Sequence, residues 1–159
     1  MPIFLKLLLT INIDGASRGN PGPSGIGVVI IKNKLIMTEY SEFIGKKTNN
    51  QAEYAALKKA LQIASIFDNE ITILSDSKLV VSQRNNRYRV RNKQLKVIFR
   101  EISNLERQFR AVIYRHVPRA RNQHADFLAN LAIDKYLYND INNKSMQIVI
   151  MMAAVRIQS

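Results

Sequence analysis

Four acidic residues, Asp14, Glu53, Asp76 and Asp126, stand where a strand or helix would ordinarily bury something apolar. Asp14 ends the run Leu7-Leu8-Leu9-Thr10-Ile11-Asn12-Ile13, and Asp76 ends Ile71-Thr72-Ile73-Leu74-Ser75. Glu53 shares a helical face with Leu57, Ala60, Leu61 and Ala64, and Asp126 shares one with Ala129 and Ile133. A lone carboxylate in such a place costs several kcal/mol unless something neutralises it. Only 12 residues of the chain are Asp or Glu, so the placement is no by-product of an acid-rich composition. Convergence of the four on a divalent cation accounts for all of them at once.

The elements that must position these acids follow from periodicity and turn signals. Residues 4–13 read as a first strand. Gly15 to Gly27 is rich in Gly and Pro and must turn. Ile26 to Ile31 is a second strand, and Leu35 to Phe43 a third beyond an Asn33-Lys34 turn. Thr48 suits an N-cap, and Ala52 to Phe67 has helical spacing. Ile71 to Ser75 is a fourth strand, followed by a short helix Lys78 to Gln83 that Ser77 caps. Leu95, Ile98, Phe99, Ile102, Leu105 and Phe109 mark a long amphipathic helix. A fifth strand, Ala111 to Val117, and a final helix, Asn122 to Tyr136, complete the body. A three-strand meander followed by strand–helix–strand units predicts an α/β fold: a five-stranded mixed sheet in order 3-2-1-4-5 with helices on both faces. Residues 1–136 form that domain. Residues 137–145 read as a polar loop, and 146–156 as an extra strand or a helix docked on the body, so 137–159 is a tail of unassigned role.

The 159 residues fit one domain with a sizeable core. Lys and Arg number 24 and the net charge is +12, which predicts attraction to polyanions, nucleic acid above all. The charge is concentrated. Arg84 to Arg121 holds 12 basic residues against Glu101 and Glu106, or +10 of the total. Within it Arg84, Arg87, Arg89, Arg91, Lys93 and Lys96 surround Tyr88, a composition suited to tracking phosphates. The chain has no Cys, which excludes disulfides, Cys-ligated zinc and thiol catalysis. The apolar start lacks a small-residue cleavage site, and no stretch approaches the ~20 residues of a membrane span.

Four segments carry a family resemblance. Asp14-Gly15-Ala16-Ser17-Arg18-Gly19-Asn20-Pro21-Gly22-Pro23 resembles the opening motif of type 1 ribonuclease H. Thr48-Asn49-Asn50-Gln51-Ala52-Glu53 resembles its helix start, and Ser75-Asp76-Ser77 its third acidic motif. The segment from His116 to Asn130 resembles its closing motif. The four occur in the family's order across residues 5–136. The resemblance implies a ribonuclease H-like fold and hydrolysis of the RNA strand of RNA–DNA hybrids, leaving 5′-phosphate and 3′-hydroxyl ends. It implies two Mg2+ ions, with Mn2+ able to substitute, held by Asp14, Glu53, Asp76 and Asp126. Hard oxygen ligands suit both metals. Two such ions bind the attacking water and the leaving oxygen of an in-line displacement.

By position His116, ten residues before Asp126, matches the family's proton-transfer histidine, and nearby Arg119 is the second candidate for that role. His124 sits about 200° around the helix from Asp126 and should face away from the metals. Gly15, Asn20, Thr48, Asn49, Asn50, Ser77 and Asn122 match substrate-handling positions. Amides of this kind read 2′-hydroxyls and base edges, and a helix N-terminus suits a phosphate. Asn122 is also expected to orient a metal-bound water or Asp126. The chain departs from some members in having no room for a basic protrusion after the short helix. Arg87, Arg89 and Arg91 are the expected substitute grip on the hybrid. The resemblance further implies a cytoplasmic monomer with no membrane partner. Two rival readings are a domain excised from a reverse transcriptase or transposon protein, which Met1 disfavours, and a hybrid-binding module without catalysis, which the intact acids disfavour.

Overall fold

A computed structural model describes residues 9–157, with side chains described for residues 9–148. The expected strand residues 4–8 lie outside it. The strands are β1 (Leu9–Ser17), β2 (Gly22–Lys32), β3 (Leu35–Lys47), β4 (Glu70–Ser75) and β5 (Ala111–His116). The helices are α1 (Asn49–Ala64), α2 (Lys78–Arg84), α3 (Lys93–Glu106) and α4 (Gln123–Ile157), and a 3-10 turn spans Arg119–Arg121. The sheet order is β3-β2-β1-β4-β5, as the meander and crossovers require. β1 pairs antiparallel with β2 and parallel with β4, and β4 pairs parallel with β5.

Alternation along β1 sorts its side chains. Ile11 and Ile13 join Leu57, Leu61, Ile73 and Ile102 in the main core under α1 and α3. Asn12 and Asp14 take the other face, where α4 packs Ala125 and Leu128 against Val29. Two glycines let helices approach the sheet closely at this point. A Cβ on Gly15 would fall 2.2 Å from the backbone of Glu53, and one on Gly27 would fall 2.1 Å from the carbonyl of Ala125. Any side chain there would push α1 or α4, and with it Glu53 or Asp126, away from Asp14.

The helix starts at Thr48 because its hydroxyl accepts from the Gln51 N–H while the Gln51 side chain accepts from the Thr48 N–H. Both ends of α1 therefore fall about three residues earlier than its apolar spacing suggested. The larger difference lies at the other terminus. Residues 137–145 are not a loop, and no extra strand follows; one helix runs unbroken from Gln123 to Ile157. The four Asn in that stretch are mediocre helix formers, but no Gly or Pro occurs after Pro118, so nothing breaks the helix. Asp140 and Lys144 add an i,i+4 ion pair at 2.7 Å. Among the described residues no helix is long and apolar enough to cross a membrane.

Candidate active site

The four acids arrive from four elements. Asp14 sits on β1 beside its β2 pairing partner Gly27. Glu53 lies in the first turns of α1, Asp76 directly follows β4, and Asp126 opens α4. Together with Gly15, Ser17, Asn49, Arg119 and Asn130 they line one cleft of about 270 Å³. Asp14 and Glu53 are each only 6% exposed.

The electrostatics of the cleft are unfavourable without a cation. Burial first, then the Asp76 and Asp126 carboxylates, push the Asp14 carboxyl up to about 8, and a hydrogen bond shared with Asp126 adds to this. Burial first, then Asp14 and Asp76, hold Glu53 well above the usual carboxylate range against the pull of the Gly15 N–H and Arg119. The buried Glu53 Oε2 has no hydrogen-bond partner. Native proteins rarely leave a buried polar atom orphaned. Protein groups offset part of the repulsion. Arg119 donates to Asp126 Oδ1 at 2.7 Å, and the Asn122 amide donates to Asp76 Oδ1 at 2.8 Å. Among the described residues no three His, Cys, Asp or Glu already stand in a metal-binding arrangement. The donor set nonetheless fits a hard divalent cation: four carboxylates, two of them resisting ionisation, and one orphaned oxygen.

A pH dependence follows. A carboxyl whose folded pKa is raised stabilises the fold fully below its unfolded pKa, near 4, and loses that contribution as pH rises through its folded value. For Asp14 the loss spans pH 4 to about 8, and Glu53 acts in the same direction. In chelator the melting temperature should therefore carry a downward contribution across that window. Millimolar Mg2+ should restore most of it at pH 8 and little at pH 5, because ligands must shed protons to bind. Thermal melts at both pH values, with and without Mg2+, measure the difference; equal Mg2+ shifts at pH 5 and 8 would contradict it.

The remaining candidates divide. Arg119 reaches the acids, whereas His116 is exposed at the rim of the sheet, its ring Nε2 3.2 Å from the Asp76 carbonyl oxygen and outside the cleft lining. The β5 strand ends at His116, and the 3-10 turn of Arg119–Arg121 swings Arg119, not the imidazole, over Asp126. Thr48 and Ser77 are spent as N-caps of α1 and α2. Asn20 braces the helix start, accepting from the Asn49 N–H at 3.1 Å, and Asn49 and Asn50 are exposed there. His124 faces away, as expected, and pairs with Glu39 on β3 at 2.5 Å.

Two expectations need correction. Asn122 is 1% exposed, so it does not face a substrate. Its side chain binds Asp76 and the Ile13 carbonyl, and only its backbone carbonyl reaches Asp126, accepting from that residue's N–H at 3.1 Å. Arg84 does not belong to the phosphate-facing cluster. It lies beneath the surface against the Phe99 and Tyr114 rings, paired with Glu106, which also accepts from the Tyr114 hydroxyl. Its partners Phe99 and Glu106 lie about two helical turns apart on α3, 15 and 22 residues beyond Arg84, too far along the chain for local patterning to reveal. Arg87, Arg89 and Arg91 are exposed in the α2–α3 connection, and Tyr88, Arg89, Lys96 and Arg100 border a second, shallower cleft. Asn12 and Asn130 were not anticipated. A polar residue in the middle of the apolar β1 run was the signal for Asn12.

The family model for reverse transcriptase-like domains matches residues 12–132. The chain is 43% identical over 129 residues to the bifunctional protein Rv2228c of Mycobacterium tuberculosis, a match covering 79% of this chain and 35% of that protein. It is 42% identical over 123 residues to ribonuclease HI of Halobacterium salinarum, covering 76% of this chain and 62% of the relative. The chain thus spans about a third of the mycobacterial relatives and under two thirds of the archaeal one. Among solved structures, LC11-RNase H1 in complex with an RNA/DNA hybrid superposes with a TM-score of 0.78 at 40% identity, covering 81% of this chain and 99% of that one.

Proposed function

The chain belongs to the type 1 ribonuclease H family, and we propose that it hydrolyses the RNA strand of RNA–DNA hybrids. The observation that carries this reading is the convergence of Asp14, Glu53, Asp76 and Asp126 on one cleft with a buried oxygen lacking any partner. Those four residues would hold two divalent cations, Mg2+ with Mn2+ as substitute. When bound, the pair supplies a water activated for attack and charge for the departing 3′ oxygen, leaving 5′-phosphate and 3′-hydroxyl ends.

The chain's own residues do the rest. Asn122 and Arg119 aim two of the acids. Release of Asp126 frees the Arg119 guanidinium, whose side chain is 74% exposed, to meet a phosphate at the cleft mouth. His116 and Arg119 are the two candidates for assisting proton transfer or product departure. Asn20, Asn49 and Asn50, at the exposed start of α1, are suited to a hybrid minor groove. Labelled RNA–DNA, RNA–RNA and DNA–DNA duplexes, each with Mg2+, Mn2+ or chelator, test the reading. Metal-dependent cutting of the RNA in the hybrid is expected. Tight hybrid binding without cutting would make the protein a binding module.

Arg87, Arg89 and Arg91 form the second part of the proposal, a grip on the phosphates. Each duplex phosphate contact contributes about 0.9 to the salt dependence of binding. An Arg87→Ala, Arg89→Ala, Arg91→Ala triple variant should bind hybrid more weakly at low salt. Its log–log salt slope should be smaller in magnitude by up to ~2.7, with turnover at saturation nearly unchanged. Fluorescence anisotropy at several salt concentrations reads this. An unchanged slope would return these arginines to a merely solubilising role.

A further inference from the structure

Asn12 has no place in the chemistry described so far, yet it is one of the few polar residues buried in the sheet. It sits at the centre of β1 between Ile11 and Ile13 and is 8% exposed. Asn is a poor strand residue, and a buried amide is unfavourable unless its hydrogen bonds are made. A Leu or Val would suit the strand better if packing were all that mattered.

Its bonds show what it serves. The Asn12 amide nitrogen donates to Asn122 Oδ1 at 3.0 Å and to the Arg121 carbonyl at 3.2 Å. Asn122 Nδ2 in turn donates to Asp76 Oδ1 and to the Ile13 carbonyl, each at 2.8 Å. Asn122 therefore has donors on the side of the acid and an acceptor on the side of Asn12. Flipping its amide would face an oxygen to the Asp76 carboxylate and a nitrogen to the Asn12 amide. By donating to Asn122 Oδ1, Asn12 fixes that polarity. Its second bond, to Arg121, pins the turn that carries Arg119 and leads into Asp126. Alternation puts Asn12 two residues behind Asp14 on the same face.

We infer that Asn12 is a positioning residue for the acid cluster, acting through Asn122 on Asp76 and through Arg121 on the turn before Asp126. It touches neither metal nor substrate. It fixes the direction in which two carboxylates present their oxygens, as partners behind metal ligands commonly do. This rests on the proposal that the four acids hold divalent cations.

The test is Mn2+ binding without substrate, followed by the electron paramagnetic resonance signal of free Mn2+, alongside hybrid cleavage. Asn12→Leu keeps the branching and heavy-atom count of the side chain and removes the donors. Its Mn2+ affinity should fall by about 10-fold or more, and kcat by a similar factor with KM for hybrid unchanged. Asn12→Ser keeps a hydroxyl donor and should fall between Leu and wild type in both readouts. Ile11→Val, the neighbouring core position, lowers stability alone and should leave Mn2+ affinity as it is. Asp76→Asn is the control for the site. If Asp76→Asn leaves Mn2+ binding intact, the proposed metal site itself is wrong. If it weakens binding while Asn12→Leu matches Ile11→Val, Asn12 is only structural and the inference fails. Should Asn12→Leu not fold, Asn12→Ser against Ile11→Val decides by the same criterion.

Discussion

If the chain acts as proposed, an Asp14→Asn variant is expected to lose more than about 100-fold in cleavage rate, beyond what displacing an outer-shell partner costs, while binding hybrid as before. In chelator the same variant should melt at a higher temperature than wild type at pH 8. The two changes share one cause. Asp14 is buried beside Asp76 and Asp126, and ionising it is opposed by all three circumstances. Asn keeps the shape and removes the charge, so repulsion is relieved and a cation ligand is lost together. Glu53→Gln should behave alike, since its Oε2 is buried with no partner. Opposite signs for activity and metal-free stability mark a site held in strain for function. Single-turnover cleavage and thermal melts with chelator measure both. Near-full activity in either variant would remove that acid from the mechanism.

The second large effect separates His116 from Arg119. His116→Ala should slow turnover roughly 10- to 1000-fold if the imidazole assists proton transfer. The imidazole Nε2 bonds the Asp76 carbonyl, so a role in catalysis falls to Nδ1 or requires Nε2 to leave that partner. Arg119 already contacts Asp126 and lines the cleft. If His116→Ala keeps the wild-type rate, Arg119→Ala should carry the deficit. Comparing the pH–rate profiles of both variants assigns the role: loss of an ionisation in the His116 variant alone identifies the imidazole.

The sheet order was legible because the three meander strands and two crossovers each carry their own period and turn residues. The acids were legible because each interrupts an apolar run. Proximity in space was not. Arg84 reads as one more cation in a basic run, and only the folded packing of α2 on α3 and β5 shows it paired and covered. Asn122 reads as a substrate-handling amide set to orient a metal-bound water or Asp126, yet it is the buried point where β1, β4 and the start of α4 are tied. The join between the short last helix and the tail misled for another reason. Asn-rich sequence signals a loop only when a residue that actually forbids helix accompanies it, and residues 137–145 contain none.

In mechanical terms α4 is a lever. Among the described residues its last buried one is Ile133, two turns beyond Asp126, and its last contact with the sheet is Tyr136, which stacks on Phe43 of β3. Beyond Tyr136 the helix continues to Ile157, a long arm of about 32 Å against a short arm of about 15 Å back to Asp126. A tilt of about 5° about Tyr136 moves the far end by some 3 Å and Asp126 by about 1 Å, a displacement that can cost on the order of 100-fold in rate. A load on the far end of this helix, where it exceeds the packing that seats the short arm at Gly27, is thus transmitted, reduced about twofold in distance, to a carboxylate of the cleft.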